Sequence, residues 1–231
     1  MTMKTLITFL LIFGIVLSTE AQRRTVDVGN FTELSLGIPG NLYLKQGSST
    51  KVEIECDDDD FDEIEFKMSG DRLSISKEGK WNWRDGWRNS DVTIYVTMKE
   101  IEKLSVSGSG NMEGKGTLNV DDIELAVSGS GDMELDLQGD ELDARISGSG
   151  SIRLSGSAED ASARISGSGR VKAEDMTVAS FEARISGSGS CYITVTDEIE
   201  ASISGSGSVY YDGNPDRVIS NSSGSGKVRR M

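Results

Sequence analysis

The side chains with the most evident chemical potential are Trp81, Trp83 and Trp87, gathered in the polar stretch Lys80–Asn89. Aromatic rings on an extended loop can stack on sugar faces or anchor a protein partner as central hot spots. They can equally fold back as a cover over an apolar end, which is the favoured reading. As a ligand-binding surface, the loop is still the foremost candidate. Arg145, Arg164 and Arg184 form a second candidate, a surface ladder in which each arginine follows Asp143, Ser162 or Glu182 by two residues. Such a ladder could hold glycan carboxylates or phosphates. Like charges in register repel unless acids interleave, however, and an ordinary lattice of surface ion pairs accounts for the pattern.

Other chemistry finds little support. The chain has no histidine, which removes the commonest general base and metal ligand and every Ser-His or Cys-His dyad. Acids are numerous, but none is marked by its context as half of a buried catalytic pair. The run Asp57-Asp58-Asp59-Asp60-Phe61-Asp62-Glu63 lacks the alternation and the glycine of a calcium loop, and reads as a solvated turn or a short acidic helical start. Cys56 and Cys191 each continue an apolar column, so both are expected as small buried hydrophobes, with no disulfide between them. We therefore expect no catalytic residue, no metal site and no cofactor.

What must position these side chains is one tetrapeptide, Ser-Gly-Ser-Gly, repeated seven times. Its copies start at Ser107, Ser128, Ser147, Ser166, Ser186, Ser204 and Ser223, at steps of 21, 19, 19, 20, 18 and 19 residues. A period near twenty with one fixed corner and a tolerant remainder marks a solenoid of stacked coils. Before the corner, apolar and polar residues alternate, as in Ile123-Leu125-Val127, Leu142-Ala144-Ile146 and Phe181-Ala183-Ile185. Period two means a strand with one buried face. Beyond the corner, Met133-Leu135-Leu137 and Ile152-Leu154 give a second such strand.

One coil of this size cannot bury its apolar side alone. Stacking in register does so, with like residues about 4.8 Å apart, and seven coils then make a rod roughly 30 Å long. The fold expected is all-β, a parallel β-helix of about 19-residue coils. The glycines are expected to supply positive φ or close approach between rungs, and the serines to hydrogen-bond locally or along the stack. A phosphate-cradling loop would need a helix behind it, and no helical pattern follows any copy.

Met1–Ala21 has the build of a cleaved secretory signal, with Lys4, the apolar core Leu6–Leu17 and a small-residue end before Gln22. The apolar stretch is too short to span a membrane. Removing 21 of the 231 residues leaves 210, with the net charge still −14. The expected location is extracytoplasmic: periplasm, cell surface or secreted. Nucleic acid and anionic headgroups are expected to be repelled.

From 22 to 105 the repeat is blurred into a β-rich N-terminal part, packed over the first rungs of the helix at 106–231. Within it, Leu34–Leu44 aligns without a gap onto Leu104–Gly114, at an offset of 70 throughout. Separate sheets or irregular extra coils remain open for the rest of this part. At the far end Ser222 replaces the inward Val or Ile, and Arg230 stands where Leu135, Leu154 and Ile193 stood. Charge over an open edge discourages end-to-end pairing.

The opening Gly37-Ile38-Pro39-Gly40-Asn41, the alternating strands after it and the train of Ile-Ser-Gly-Ser-Gly coils resemble the bacterial putative autotransporter adhesin head GIN domain family of secreted envelope proteins. The resemblance spans the chain from about Val26 onward. It implies a right-handed β-helical scaffold with no established chemistry and no catalytic residues to carry over. The expected function is a non-enzymatic secreted or cell-envelope binding scaffold, with a glycan or an envelope protein as partner. Two alternatives are a polysaccharide-active lyase or hydrolase and a structural assembly unit; self-association is left open.

Overall fold

The computed structural model describes residues 23–77 and 92–231. Trp81, Trp83, Trp87 and the expected export segment Met1–Ala21 lie outside them. In chain order the N-terminal part holds β1 (Arg24–Val26), β2 (Glu33–Leu36), β3 (Asn41–Gln46), β4 (Lys51–Glu55), α1 (Asp58–Asp62), β5 (Ile64–Ser69), β6 (Arg72–Lys77) and β7 (Thr93–Met98). The coils follow as β8 (Lys103–Gly108), β9 (Asn111–Asn119), β10 (Asp122–Gly129), β11 (Asp132–Gln138), β12 (Glu141–Gly148), β13 (Ser151–Gly167), β14 (Arg170–Gly187), β15 (Ser190–Gly205), β16 (Ser208–Gly213), β17 (Arg217–Gly224) and β18 (Lys227–Arg230). β13, β14 and β15 are long because each runs from one coil around a corner into the next.

The coils stack as a parallel β-helix. In each, the strand before the tetrapeptide builds a first face and the strand after it a second. On the first face Ile146 lies beside Ile165 and Ile165 beside Ile185, each one rung apart. On the second, Met133 lies beside Ile152, Ile152 beside Val171, Val171 beside Cys191 and Cys191 beside Val209. These residues are buried, and among the described residues no polar or charged side chain is. The interior is dry because the alternation sends the polar residues of these strands outward, Ser220 and Ser222 of the last coil excepted. Each column is a continuous contact of like aliphatic groups, the arrangement that stacking best rewards.

The two corner glycines are required for different reasons. The first takes φ between 97° and 127° in all seven copies, a region that an L side chain enters only with strain. The second has ordinary φ but no room. A Cβ at Gly189 would stand 2.5 Å from Ile165 Cγ2, and one at Gly207 equally close to Ile185 Cγ2. Missing side chains let the corners nest, so that Ser149 N and Gly150 N both donate to Gly129 O, at 2.8 and 3.0 Å. The serine side chains of the corners are exposed, and the ladder is held by backbone hydrogen bonds.

Below the tetrapeptide coils lie two more. β2 and β3 pair in parallel with β8 and β9, with Leu34 on Leu104 and Asn41 on Asn111, at the offset of 70 seen in the sequence. The coil beneath that is made by β6 and β7, which pair in parallel with β2 and β3 although they follow them in the chain. Chain order and stacking order are thus exchanged at this end. Antiparallel strands then close the stack: β5 on β6, β4 on β7 and β1 on β4. The β5–β6 hairpin turns at Gly70, whose φ is 61°. The N-terminal part therefore supplies two further coils and an antiparallel cover, and its apolar residues belong to the same core as the coils.

The acidic run forms the single-turn helix α1, with Phe61 tilted against Phe66 at 6.5 Å between ring centroids. Cys191 is buried in its column, whereas Cys56, just past the end of β4, is half-buried at the lower edge, and both thiols are free. At the upper end Ser220 and Ser222 continue the columns of Ala201 and Ile203, and Arg230 that of Tyr211. No helix among the described residues is long and apolar enough to cross a membrane.

Candidate ligand-binding faces

The parallel register lines up the arginine ladder. Arg145 stands beside Arg164 and Arg164 beside Arg184, one rung apart on the first face, with Ala126 below and Ser202 above. Acids do interleave. Glu124 accepts from Lys103 at 2.8 Å and from Arg145 at 2.6 Å, and Asp143 accepts from Arg145 at 2.7 Å and Arg164 at 2.8 Å. Five charges thus form one zigzag across the rungs, Lys103–Glu124–Arg145–Asp143–Arg164. Arg184 pairs separately with Glu182. The guanidinium groups lean toward these acids, away from the serine corner.

That lean opens a groove of about 550 Å³ between the arginine column and the first corner serines, Ser128, Ser147, Ser166, Ser186 and Ser204. Its wall is mostly carbon, including the arginine stems and Ala126, with serine hydroxyls along one rim. Arginine and serine recur over three successive rungs, from Arg145 with Ser147 to Arg184 with Ser186, so the groove is a periodic track rather than a single focused pocket. The tryptophan candidates lie outside the described residues, and the groove stands without them.

Two further surfaces were not singled out in the sequence. One is an acidic cleft of about 560 Å³ at the lower coils, where second-face strands turn into first-face ones, lined by Glu100, Glu102, Asp121, Asp122 and Glu141 among others. Gln46 braces it by donating to Asn119 O and accepting from Asn119 N, both at 2.8 Å. The other lies on the second face of the upper coils, where Tyr192 and Tyr210 stack beside Lys172 and Arg229. The signal for it was present, since all four stand three residues after a tetrapeptide. Alignment of the inward columns passes over it, because these side chains point outward.

Chemically, these are surfaces of partly solvated charges and hydroxyls. Among the described residues no group of three or more Cys, Asp or Glu is arranged to hold a metal ion. Burial pushes the Cys191 thiol up to about 12, and burial followed by the nearby Asp60 raises Cys56.

Several solved structures share the fold. A putative adhesin from Bacteroides fragilis NCTC 9343 superimposes with a TM-score of 0.84 at 24% identity, covering 93% of this chain and 98% of its own. A putative lipid binding protein from Parabacteroides distasonis ATCC 8503 gives 0.73 at 23%, covering 91% and 96%. A putative adhesin from Parabacteroides merdae ATCC 43184 gives 0.72 at 23%, covering 91% and 95%. At these identities the likeness is one of fold. No curated protein matches the chain. Residues 30–215 match a family model, and the chain belongs to that family, described as putative auto-transporter adhesin, head GIN domain.

Proposed function

We propose that this protein is a non-enzymatic, adhesin-like binding scaffold working outside the cytoplasm, at the envelope surface or beyond it, and that the first-face groove is its ligand track. The observation that carries this reading is the periodicity of the groove. Arg145, Arg164 and Arg184 face Ser147, Ser166 and Ser186 across it at one interval per rung. A repeating wall suits an extended, repeating ligand, each rung adding a similar increment of contact. A glycan strand, with hydroxyls for the serine rim and apolar ring faces for the arginine stems, fits that wall. The family's description as an adhesin supports a binding role in general terms.

A lipid chain is a second occupant, favoured by the largely apolar wall and by the fold's occurrence in a putative lipid binding protein. A glycan array and phosphatidylcholine vesicles, each offered to wild type and to an Arg145→Ala/Arg164→Ala/Arg184→Ala variant, separate the two. Glycan binding lost in the triple variant supports the track, and binding unchanged in it removes the groove as the site. Vesicle binding lost in the same variant assigns the groove to lipid. A Trp81→Ala/Trp83→Ala/Trp87→Ala variant run alongside reports the aromatic loop independently. Release of reducing ends or unsaturated sugars from a polysaccharide would replace the scaffold reading with a catalytic one, and abolition by Glu141→Gln would place that chemistry in the acidic cleft.

A further inference from the structure

The second face of the upper coils carries cations that no carboxylate absorbs. Register places Lys172, Tyr192, Tyr210 and Arg229 in one outward column, and Arg170, Ser190, Ser208 and Lys227 in the column beside it. The two tyrosine rings stack with centroids 4.9 Å apart and planes within 13°. One cation pair, Arg170 with Lys172, lies a rung below the tyrosines. A second, Lys227 with Arg229, lies a rung above. None of these four has an ion-pair partner among the described residues, whereas Arg145, Arg164, Arg184 and Arg217 on the first face all do. Beside the lower pair is a hollow of about 450 Å³, lined by Arg153, Arg170, Lys172, Glu174, Asp175 and Tyr192.

Unpaired cations are conspicuous in a chain of net charge −14, where acids are plentiful enough to neutralise them. We propose that this face binds an anionic polysaccharide laid along the rod. Three rungs separate the two cation pairs, about 14 Å at the spacing of stacked strands. A single carboxylate or phosphate engages one pair only. A polymer carrying a charge on successive units engages both, and the second contact is then intramolecular. Each tyrosine covers one face of the other, and Lys172 and Arg229 occupy the rungs beyond the remaining two, so what the pair offers outward is ring edge and hydroxyl, suited to sugar hydroxyls rather than to stacked bases, which need open ring faces. Glu174, Asp175 and Asp212 border the patch on the side away from the serine corner and confine bound anions to the two columns. The net negative charge does not forbid this. Fields are screened within about 8 Å at physiological salt, so the local cations dominate what a docked polymer meets.

The test uses the full chain in titrations with polygalacturonate (charged and hydroxyl-rich), polyphosphate (charged without sugar) and neutral dextran. Four proteins are compared: wild type, Lys172→Glu/Arg229→Glu, Tyr192→Phe/Tyr210→Phe, and Arg217→Ala, a first-face arginine that lines neither track. All substituted positions are solvent-facing, and thermal melts by circular dichroism confirm that each variant is folded. Polygalacturonate should bind wild type and weaken by roughly tenfold or more on charge reversal. The phenylalanine pair should weaken it severalfold, Arg217→Ala should leave it unchanged, and any dextran held by the groove should be indifferent to the charge reversal. Polygalacturonate binding that survives charge reversal, or dextran binding that charge reversal abolishes, overturns the proposal. Polyphosphate binding as tightly as polygalacturonate, and indifferent to the phenylalanine pair, overturns the sugar assignment. A wild-type dimer that charge reversal dissolves, with no polygalacturonate binding, makes the face a contact between copies instead. Because Arg145→Ala/Arg164→Ala/Arg184→Ala reports the groove and Lys172→Glu/Arg229→Glu reports this face, failure of one reading leaves the other measurable.

Discussion

The first glycine of every corner above the lowest, Gly108, answers two constraints at once, and substitutions can separate them. Gly167 has φ 117°, and a Cβ there would stand 2.5 Å from Gly148 O. Gly116 has φ 85° with nothing within 4 Å of an added Cβ. Gly116→Ala should therefore cost about 1–2 kcal/mol, the conformational term alone. Gly167→Ala should cost about 3 kcal/mol or more, because overpacking against backbone is added. Urea midpoints of the two variants check the difference. Cys191 provides a second test at this scale. The native chain keeps its thiol proton up to about pH 12, while an unfolded chain releases it above 9.0. Between those values the native state binds more protons, so this residue's contribution to stability falls as pH rises. Melting temperature should drop more steeply over that window in wild type than in Cys191→Ala. A thiol reagent at neutral pH should label half-buried Cys56 before Cys191.

For a strand, what matters is which neighbour it has on each side. Ile165 sits between Ile146 and Ile185 and is 2% exposed, so Ile165→Ala should remove about 2–5 kcal/mol, read from chemical unfolding. The ion pairs across the same rungs are worth much less. Asp143 bridges Arg145 and Arg164 at a solvated surface, and a double-mutant cycle on Arg145 and Asp143 should return a coupling below about 1 kcal/mol that fades with salt. The ladder organises the groove's charge more than it holds the coils together. At the lower end, antiparallel β4 and β5 terminate the parallel stack, since neither offers the parallel register on which a further coil could continue.

The whole rod is asymmetric in both its ends and its faces. The lower end is covered by antiparallel strands. The upper end is left open but made polar, with Ser220 and Ser222 in the inward columns and Arg230 over the second face. Ile199, Ala201 and Ile203, at most 2% exposed, are shielded by this last coil. Deleting residues 214–231 should bare them, and the shortened protein should self-associate more strongly than the full chain at equal concentration, measured by light scattering. Around the rod, ion-paired acids and arginines fill the first face, and free cations with tyrosines fill the upper second face. One scaffold thus offers two chemically distinct surfaces.

Much of this was legible in the sequence, for a physical reason. A solenoid's inward columns are set by period two along a strand and a period near nineteen along the chain, so Val127, Ile146, Ile165 and Ile185 announce their own stacking. The offset of 70 between Leu34 and Leu104 did the same for a coil without the tetrapeptide. The glycine corners and the arginine ladder followed from the same alignment. Only the tertiary structure decided that β6 and β7 lie beneath β2 and β3, because reversed stacking order leaves no mark on a period. It alone decided which way the arginines lean, and so where the groove opens. The Tyr192–Tyr210 patch likewise became visible only with outward neighbours in place, because outward residues owe the core nothing and vary freely from coil to coil.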